Sequence, residues 1–311
     1  MNLSKLLTGL GHQVLSISRS PVRSKEFTLG LESYPLFRYE QAHMVSQLPR
    51  TMVLLDTFRP DVVVNFAALC EVGLSWKHPA DYYQTNVIAL VRLCEELSIR
   101  SWFKRFVQIG SSEVYGSVTV PATEEQGVNP SSPYAVSKAA FDFHLRTLAR
   151  YQAFPAVICM PSNGYCEGQT LNRIIPKTII CALAGRTLQL QGGGVAKKSY
   201  LHADDISRAI LLVSEKGKVG ETYNCGPEYS ISIYSLVEEI LNSMGIGIDT
   251  VVQVSKERTG QDSQYLLDST KIKNMGWKPE ITLDVGLDRM IDWVMKNPSL
   301  MDMETNYRHQ P

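Results

Sequence analysis

The sequence predicts an α/β chain built on a doubly wound parallel sheet, with a smaller C-terminal portion seated over the sheet edge. Two observations carry this expectation. Short, continuous β-branched runs recur through the first half, as strands buried on both faces of a parallel sheet require. Longer stretches with helical spacing separate them, and strand–helix alternation of this kind implies right-handed crossovers.

In chain order, a short helical pattern at residues 2–7 passes through Gly9-Leu10-Gly11-His12 into a candidate strand at 13–17. The run Asp61-Val62-Val63-Val64-Asn65-Phe66-Ala67-Ala68 is the next strand. A helix begins near Pro79, with Tyr83, Val87, Leu90, Val91 and Cys94 on one stripe. Strands follow at 105–110 and 156–161, separated by a helix that starts at Pro133 and carries residues 134–148. Beyond about residue 165 the loops lengthen and glycines cluster at Gly192-Gly193-Gly194. Two amphipathic helices close the chain. One carries Leu236, Val237, Ile240 and Leu241 and stops before Gly245; the other carries Leu287, Met290, Ile291, Val294 and Met295. Residues 302–311 read as a loose polar tail.

Composition narrows the function. The 311 residues hold 31 basic and 31 acidic side chains, so no net field draws the chain to nucleic acid or an anionic membrane. No apolar run approaches the ~20 residues of a membrane helix. The opening residues have too short an apolar centre for a signal peptide. The six cysteines, Cys70, Cys94, Cys159, Cys166, Cys181 and Cys225, include no Cys-x-x-Cys pair. That spacing speaks against a zinc site or a disulfide framework and for reduced thiols in the cytoplasm; no metal is expected.

Two segments carry chemistry. In Tyr134-Ala135-Val136-Ser137-Lys138, tyrosine and lysine four apart share a helix face. An ammonium beside a phenol favours phenolate and makes a general base, although an exposed helix pair has the same spacing. The segment GSSEVYG, residues 110–116, lies at the carboxyl end of a predicted central strand, where open α/β sheets bind ligands. Ser111 offers a hydrogen bond to a sugar hydroxyl and Glu113 a proton-transfer group; a turn with locally satisfied serines is the alternative. A hydroxyl at one strand end, Tyr-x-x-x-Lys on the next helix, and Met160-Pro161-Ser162-Asn163 at the end of the following strand form a rare ordered set.

With these motifs the chain resembles the extended short-chain dehydrogenase/reductases that act on nucleotide sugars, the NAD-dependent epimerase/dehydratase family. It is most similar there to the 4,6-dehydratases of the dTDP-glucose and GDP-mannose types. The likeness covers nearly the whole chain. It runs through NFAALCEVGLSWKHPADYYQTN (65–86), GSSEVYG, SSPYAVSK, PSNGYCEG (161–168), KKSYLHADD (197–205), GETYNCG (220–226) and ERTGQDSQYLLDSTKIKNMGWKP (257–279).

The resemblance implies a Rossmann-like dinucleotide-binding domain at 1–165 with a return segment near 199–226. It implies a nucleotide-sugar domain from 166–198 and 227–311. Tyr134, as phenolate helped by Lys138, would take the sugar 4-hydroxyl proton while hydride leaves C4 for a bound nicotinamide, with Ser111 holding that hydroxyl. Glu113 would remove the C5 proton as water leaves C6, and the hydride would return to C6, giving a 4-keto-6-deoxy sugar. Cofactor contacts would come from Ser18, Arg19, Ala67, Ala68, Tyr134, Lys138 and Pro161, and sugar-nucleotide contacts from Ser75, Asn163, Arg173, Lys198 and Arg258. Each arginine taken alone reads more readily as a solvated surface charge, and the close match over residues 257–265 favours the binding role for Arg258. The resemblance also implies a homodimer; the stripes around Val87-Leu90-Val91 and Phe141-Leu145-Leu148 are compatible with its interface, and either equally suits packing on the sheet.

Departures bear on specificity. Ser112 stands where glucose-type dehydratases place an aspartic acid, so dehydration rests on Glu113, and an epimerase or decarboxylase on the same scaffold is the alternative. Glu71 and Gly73 replace the usual His and Asp, and Lys198 replaces a common arginine, giving charge without a bidentate fork. Ser18-Arg19-Ser20, with Arg23 behind, suits a 2′-phosphate and leans the cofactor slightly towards NADP over NAD. The family's first strand and Gly-x-x-Gly-x-x-Gly turn are missing, because the chain opens in the back half of the first helix. The start is therefore expected to be internal to a longer gene product, or the chain to be a shortened, inactive form; as written it should bind cofactor poorly or not at all.

Overall fold

The computed structural model describes residues 1–256, 259–307 and 309. Helix α1 (Asn2–Gly9) leads into β1 (Val14–Ser18), and α2 (Lys25–Thr28) precedes β2 (Phe37–Gln41). Then come α3 (Leu48–Phe58), β3 (Val62–Asn65) and α4 (Val72–Ser75). Helix α5 (Pro79–Tyr83) continues through a π turn at Gln84–Ile88 into α6 (Ala89–Ser98). Strand β4 (Arg105–Ile109), α7 (Pro133–Gln152) and β5 (Ala156–Pro161) complete the first half.

Four strands run parallel in the order β10-β5-β4-β3, where β10 (Thr222–Cys225) returns from the second half. Pleating sends neighbouring side chains to opposite faces. Phe106 and Ala156 enter a core with Met52, Leu55, Leu90, Leu97, Phe141 and Leu145 from α3, α6 and α7. Val107, Val157 and Cys159 enter the opposite core with Leu3 of α1 and with Ile206, Ile210 and Val213 of α9 (Ala203–Lys216). This is the three-layer arrangement that the alternation of strand and helix predicts.

The sheet is not continuous. Strand β1 pairs with β2 alone and β3 pairs with β4 alone, and among the described residues no strand lies between β1 and β3. Yet Ile17 of β1 and Val63 of β3 pack on the same cluster, so the two sheet pieces border one core side by side. The strands facing the gap are only half covered, and just past β3 Phe66 is 56% exposed.

The second half forms its own core. In chain order it contains β6 (Asn163–Tyr165), α8 (Ile174–Leu183), β7 (Leu188–Gln191), β8 (Lys197–Lys198) and β9 (Tyr200–His202). After β10 come β11 (Ile231–Ser232), α10 (Ile233–Ser243), β12 (Val252–Ser255), α11 (Thr270–Lys273) and α12 (Leu283–Lys296). Tyr165, Ile175, Ile179, Leu236, Ile240, Leu287, Met290 and Val294 pack together, as the amphipathic spacing of the last helices requires. Met295, placed on that stripe by the periodicity, is exposed. The strand pairs β7–β12, β8–β11 and β6–β9 flank this lobe.

Three expectations are corrected. The buried face of the α5–α6 helix runs through Tyr82, Asn86, Leu90, Leu93 and Leu97, so it starts one residue earlier than the stripe through Tyr83, which is exposed. For Leu90, Phe141 and Leu145 the interface placement gives way to the alternative, because they face the sheet and fill the core above Phe106. The tail is not loose over its described part: Asn306 and Tyr307 line the main cavity, and His309 pairs with Asp81. Among the described residues no helix is long and apolar enough to cross a membrane.

Candidate active site

A cavity of about 1030 Å³ opens outside the carboxyl ends of β4 and β5. Local sequence places its key groups. Ser132 caps α7 by accepting from the Ala135 N–H at 3.2 Å, and Pro133 follows at the first helical position, where its missing donor costs nothing. This fixes Tyr134 in the first turn of α7. Gly110 follows β4 directly, and a Cβ there would lie 2.6 Å from Met160 Sδ. Ser111 then opens a 3₁₀ turn at Ser112–Tyr115 that turns Glu113 into the cavity; Gly116, at φ +68°, ends the turn against Asn129.

Ser111, Glu113 and Tyr134 share this cavity. The Tyr134 phenol and the Ser111 side chain are hydrogen-bonded, and the Glu113 carboxylate lies close enough to act on the phenol. Glu113 Oε2 is buried with no hydrogen-bond partner among the described residues. Burial, then the Glu113 charge, pushes the Tyr134 phenol up. The expected lowering by Lys138 does not govern it. Lys138, one turn further along α7, sends its Nζ 2.7 Å to the Ile109 carbonyl, and burial pulls its own pKa down. Another turn on, Asp142 has both carboxylate oxygens buried without a hydrogen-bond partner; burial raises it to about 6 against the pull of Lys138 and Arg146.

The other expected residues divide. Pro161, Asn163, Arg173 and Lys198 line the cavity. Arg173 lies 3.1 Å from Glu71 Oε1 and donates to Cys70 Sγ at 3.0 Å, while Lys198 Nζ sits 4.4 Å above the Tyr265 ring. Ser75 is fully buried and donates to the Val72 carbonyl, away from the cavity wall. Ala67 and Ala68, at the end of β3, and Ser18 and Arg19, at the end of β1, stand outside it, and Arg19 hydrogen-bonds Tyr307. Arg258 lies outside the described residues.

Several groups were not singled out by the sequence. Cys70 and Asn172 join the Arg173–Glu71 cluster, with Asn172 Nδ2 3.0 Å from Glu71 Oε1. Asn86, in the π turn, accepts from the Leu69 N–H at 2.8 Å and donates to the Leu69 carbonyl and to Ser137 Oγ, both at 2.9 Å. It thereby ties the loop after β3 to the turn of α7 that carries Tyr134. A five-residue turn inside a helix is a recurrent feature of functional sites. Local pattern does not mark it, because Asn86 closes the polar run Gln84-Thr85-Asn86.

The residues fit a nicotinamide group at the reactive end only. The buried, unpartnered Glu113 oxygen and the Ser111–Tyr134 pair face open volume. At the other end, the β1 terminus spends its carbonyls internally: Tyr39 Oη donates to Ser20, and Gln41 Nε2 donates to Arg19 at 2.8 Å. No glycine-rich strand-to-helix turn lies beside the gap among the described residues.

A parallel α/β sheet with a serine, a Tyr-x-x-x-Lys helix and a cavity at the strand ends defines an extended short-chain dehydrogenase/reductase. The family described as GDP-mannose 4,6 dehydratase matches residues 3–290, and the chain belongs to that family. It is 32% identical to the dTDP-glucose 4,6-dehydratase of Haemophilus influenzae, over 86% of each chain. It is 27% identical, over 86% of its own length, to the trifunctional UDP-glucose 4,6-dehydratase/UDP-4-keto-6-deoxy-D-glucose 3,5-epimerase/UDP-4-keto-L-rhamnose-reductase of Arabidopsis thaliana, and it spans 40% of that protein. Among solved structures, the dTDP-glucose 4,6-dehydratase DesIV of Streptomyces venezuelae, with NAD bound, superposes with a TM-score of 0.88 at 27% identity, over 96% of this chain and 94% of that one. The lean towards NADP finds no support there.

Proposed function

We propose that the cavity is the active site of a nucleotide-sugar 4,6-dehydratase yielding a 4-keto-6-deoxyhexose. The observation that carries the reading is the meeting of Ser111, Tyr134 and the Glu113 carboxylate, whose buried Oε2 has no hydrogen-bond partner among the described residues, in one cavity. A nicotinamide cofactor, NAD or NADP, would accept and return a hydride when bound, held near Tyr134, Lys138 and Pro161. Ser111 orients the sugar 4-hydroxyl and Tyr134 takes its proton. Glu113, with a free buried oxygen, moves the C5 proton. Its lack of competing hydrogen bonds leaves that lone pair available. Arg173 and Lys198 supply positive charge for the nucleotide diphosphate. The lobe 166–198 and 227–311 supplies the nucleotide-sugar contacts. A homodimer would use the apolar groups left exposed on α5 to α7, namely Tyr83, Ile88, Val136 and Phe143. Free thiols at all six cysteines suit the cytoplasm.

Incubation with NAD or NADP and dTDP-, UDP- or GDP-hexoses, followed by NMR, tests this. A 4-keto-6-deoxy product supports it, whereas a C4 epimer alone removes the role given to Glu113. A second reading is a form that holds nucleotide sugar without turnover. Nucleoside diphosphate binding with no cofactor binding would select that reading.

A further inference from the structure

We propose that His78, Asp81 and His309 form a site for a divalent transition ion, best suited to zinc, that fastens the C-terminal segment beside the main cavity. One donor atom from each residue lies within 4.8 Å of the others. Asp81 Oδ2 is the hub: His309 Nε2 lies 2.9 Å from it and His78 Nδ1 4.0 Å from it. Donors bound to one zinc ion at ~2.0–2.2 Å stand roughly 3–3.6 Å apart, so this set is within about an ångström of closing. The closing movement belongs to His78, which is exposed. Its ring lies 12° from parallel with that of His309, at 4.3 Å between centroids, and must splay to direct its nitrogen at a shared ion.

The donor chemistry is selective. Two imidazoles and one carboxylate, with a fourth position open to water, suit zinc and its neighbours better than magnesium or calcium, which take all-oxygen shells. His309 is already oriented: it stacks 8° from parallel with Tyr82, and its Nδ1 is buried without a partner, leaving Nε2 as the nitrogen directed at polar groups. His78 and Asp81 sit at the start of α5, where the helix dipole opposes a cation. The Asp81 charge is therefore required for binding. Asp81 and His309 are 228 positions apart, so an ion bridging them cross-links the tail to the helix that leads into the π turn. Tyr307, two residues before His309, lines the cavity with Ser111, Glu113 and Tyr134 and hydrogen-bonds Arg19 at the end of β1. Metal binding would hold that side chain in place, whatever reaction the cavity performs.

The test uses the full chain, stripped of metal, titrated with zinc by calorimetry and with cobalt by visible absorption. Hydrogen exchange is followed at residues 303–307. We expect one ion per chain, a cobalt spectrum without thiolate charge transfer, and slower exchange on adding zinc. His78→Gln and His309→Gln should each weaken binding by about tenfold or more, and Asp81→Asn should abolish it. Both histidine variants touch exposed or tail positions and should keep the parent's thermal midpoint. Failure of the parent chain to bind zinc at millimolar concentration would overturn the site, as would undiminished binding in the His78→Gln/His309→Gln double variant. Binding with unchanged exchange at 303–307 would overturn the fastening role.

Discussion

Glu113 bears directly on the behaviour of Tyr134. The phenol is held above its ordinary range first by burial and then by the carboxylate, so its base form is scarce at neutral pH. A step that needs phenolate therefore speeds up as pH rises. Removing the carboxylate charge lowers the phenol pKa, so the profile moves to lower pH. In single-turnover measurements of C4 oxidation, Glu113→Gln should shift the rising limb down by up to about one pH unit while cutting dehydration by about 10²–10⁴-fold. An unshifted limb would place the two groups out of electrostatic contact. Asn86 is a positioning residue: its loss orphans the Leu69 backbone and removes the donor to Ser137 Oγ, which itself donates to the Tyr134 carbonyl. Asn86→Ala should cost roughly 2–4 kcal/mol in urea unfolding and lower kcat more than it raises KM.

At the level of helices and strands, Gly286 joins α12 to β6. A methyl group there would lie 2.0 Å from Tyr165 Oη and 2.7 Å from the ring carbon Cε2. Tyr165 is buried in the C-terminal core, so it cannot swing away. Gly286→Ala should destabilise by about 1–3 kcal/mol in denaturant unfolding, and a neutral result would show that this contact yields.

What the sequence made legible divides along the same line. Strands β3 to β5 and the capped start of α7 are written in contiguous residues, such as the valine run at 62–64 and Ser132-Pro133. Ser111, Glu113 and Tyr134 could be found because each sits at a strand end or first helical turn, positions that local pattern fixes. The Cys70–Glu71–Arg173 cluster, the Asn86 bridge and the docked tail join residues 17 to 228 positions apart, which no periodicity reports. The dimer stripes stayed ambiguous in the sequence because an apolar helix face looks the same whether it meets a sheet or a second subunit.

For the molecule as a whole, the interrupted sheet dominates. Among the described residues, β1 and β3 each have one edge without a ladder partner, and Phe66 is open to water. A parallel strand laid between them would pair both edges and cover apolar side chains worth ~1.5–3 kcal/mol each. Joining a five-residue β-branched strand and a glycine-rich turn ahead of Met1 should raise the thermal midpoint by at least about 5 °C and protect β1 and β3 amides from exchange. It should also raise cofactor affinity, because such a turn presents N–H groups to a pyrophosphate. An unchanged midpoint would mean that the two sheet pieces are stable as they stand.

The most direct test of the proposed chemistry follows one hydrogen. A nucleotide hexose carrying deuterium at C4 is incubated with the chain and NAD, and the product is read by NMR. The dehydratase reading predicts a 4-keto-6-deoxy sugar with the label in its C6 methyl group, and a product lost with Glu113→Gln. A product that keeps the label at C4, as an epimer does, or carries only solvent hydrogen at C6 would contradict it.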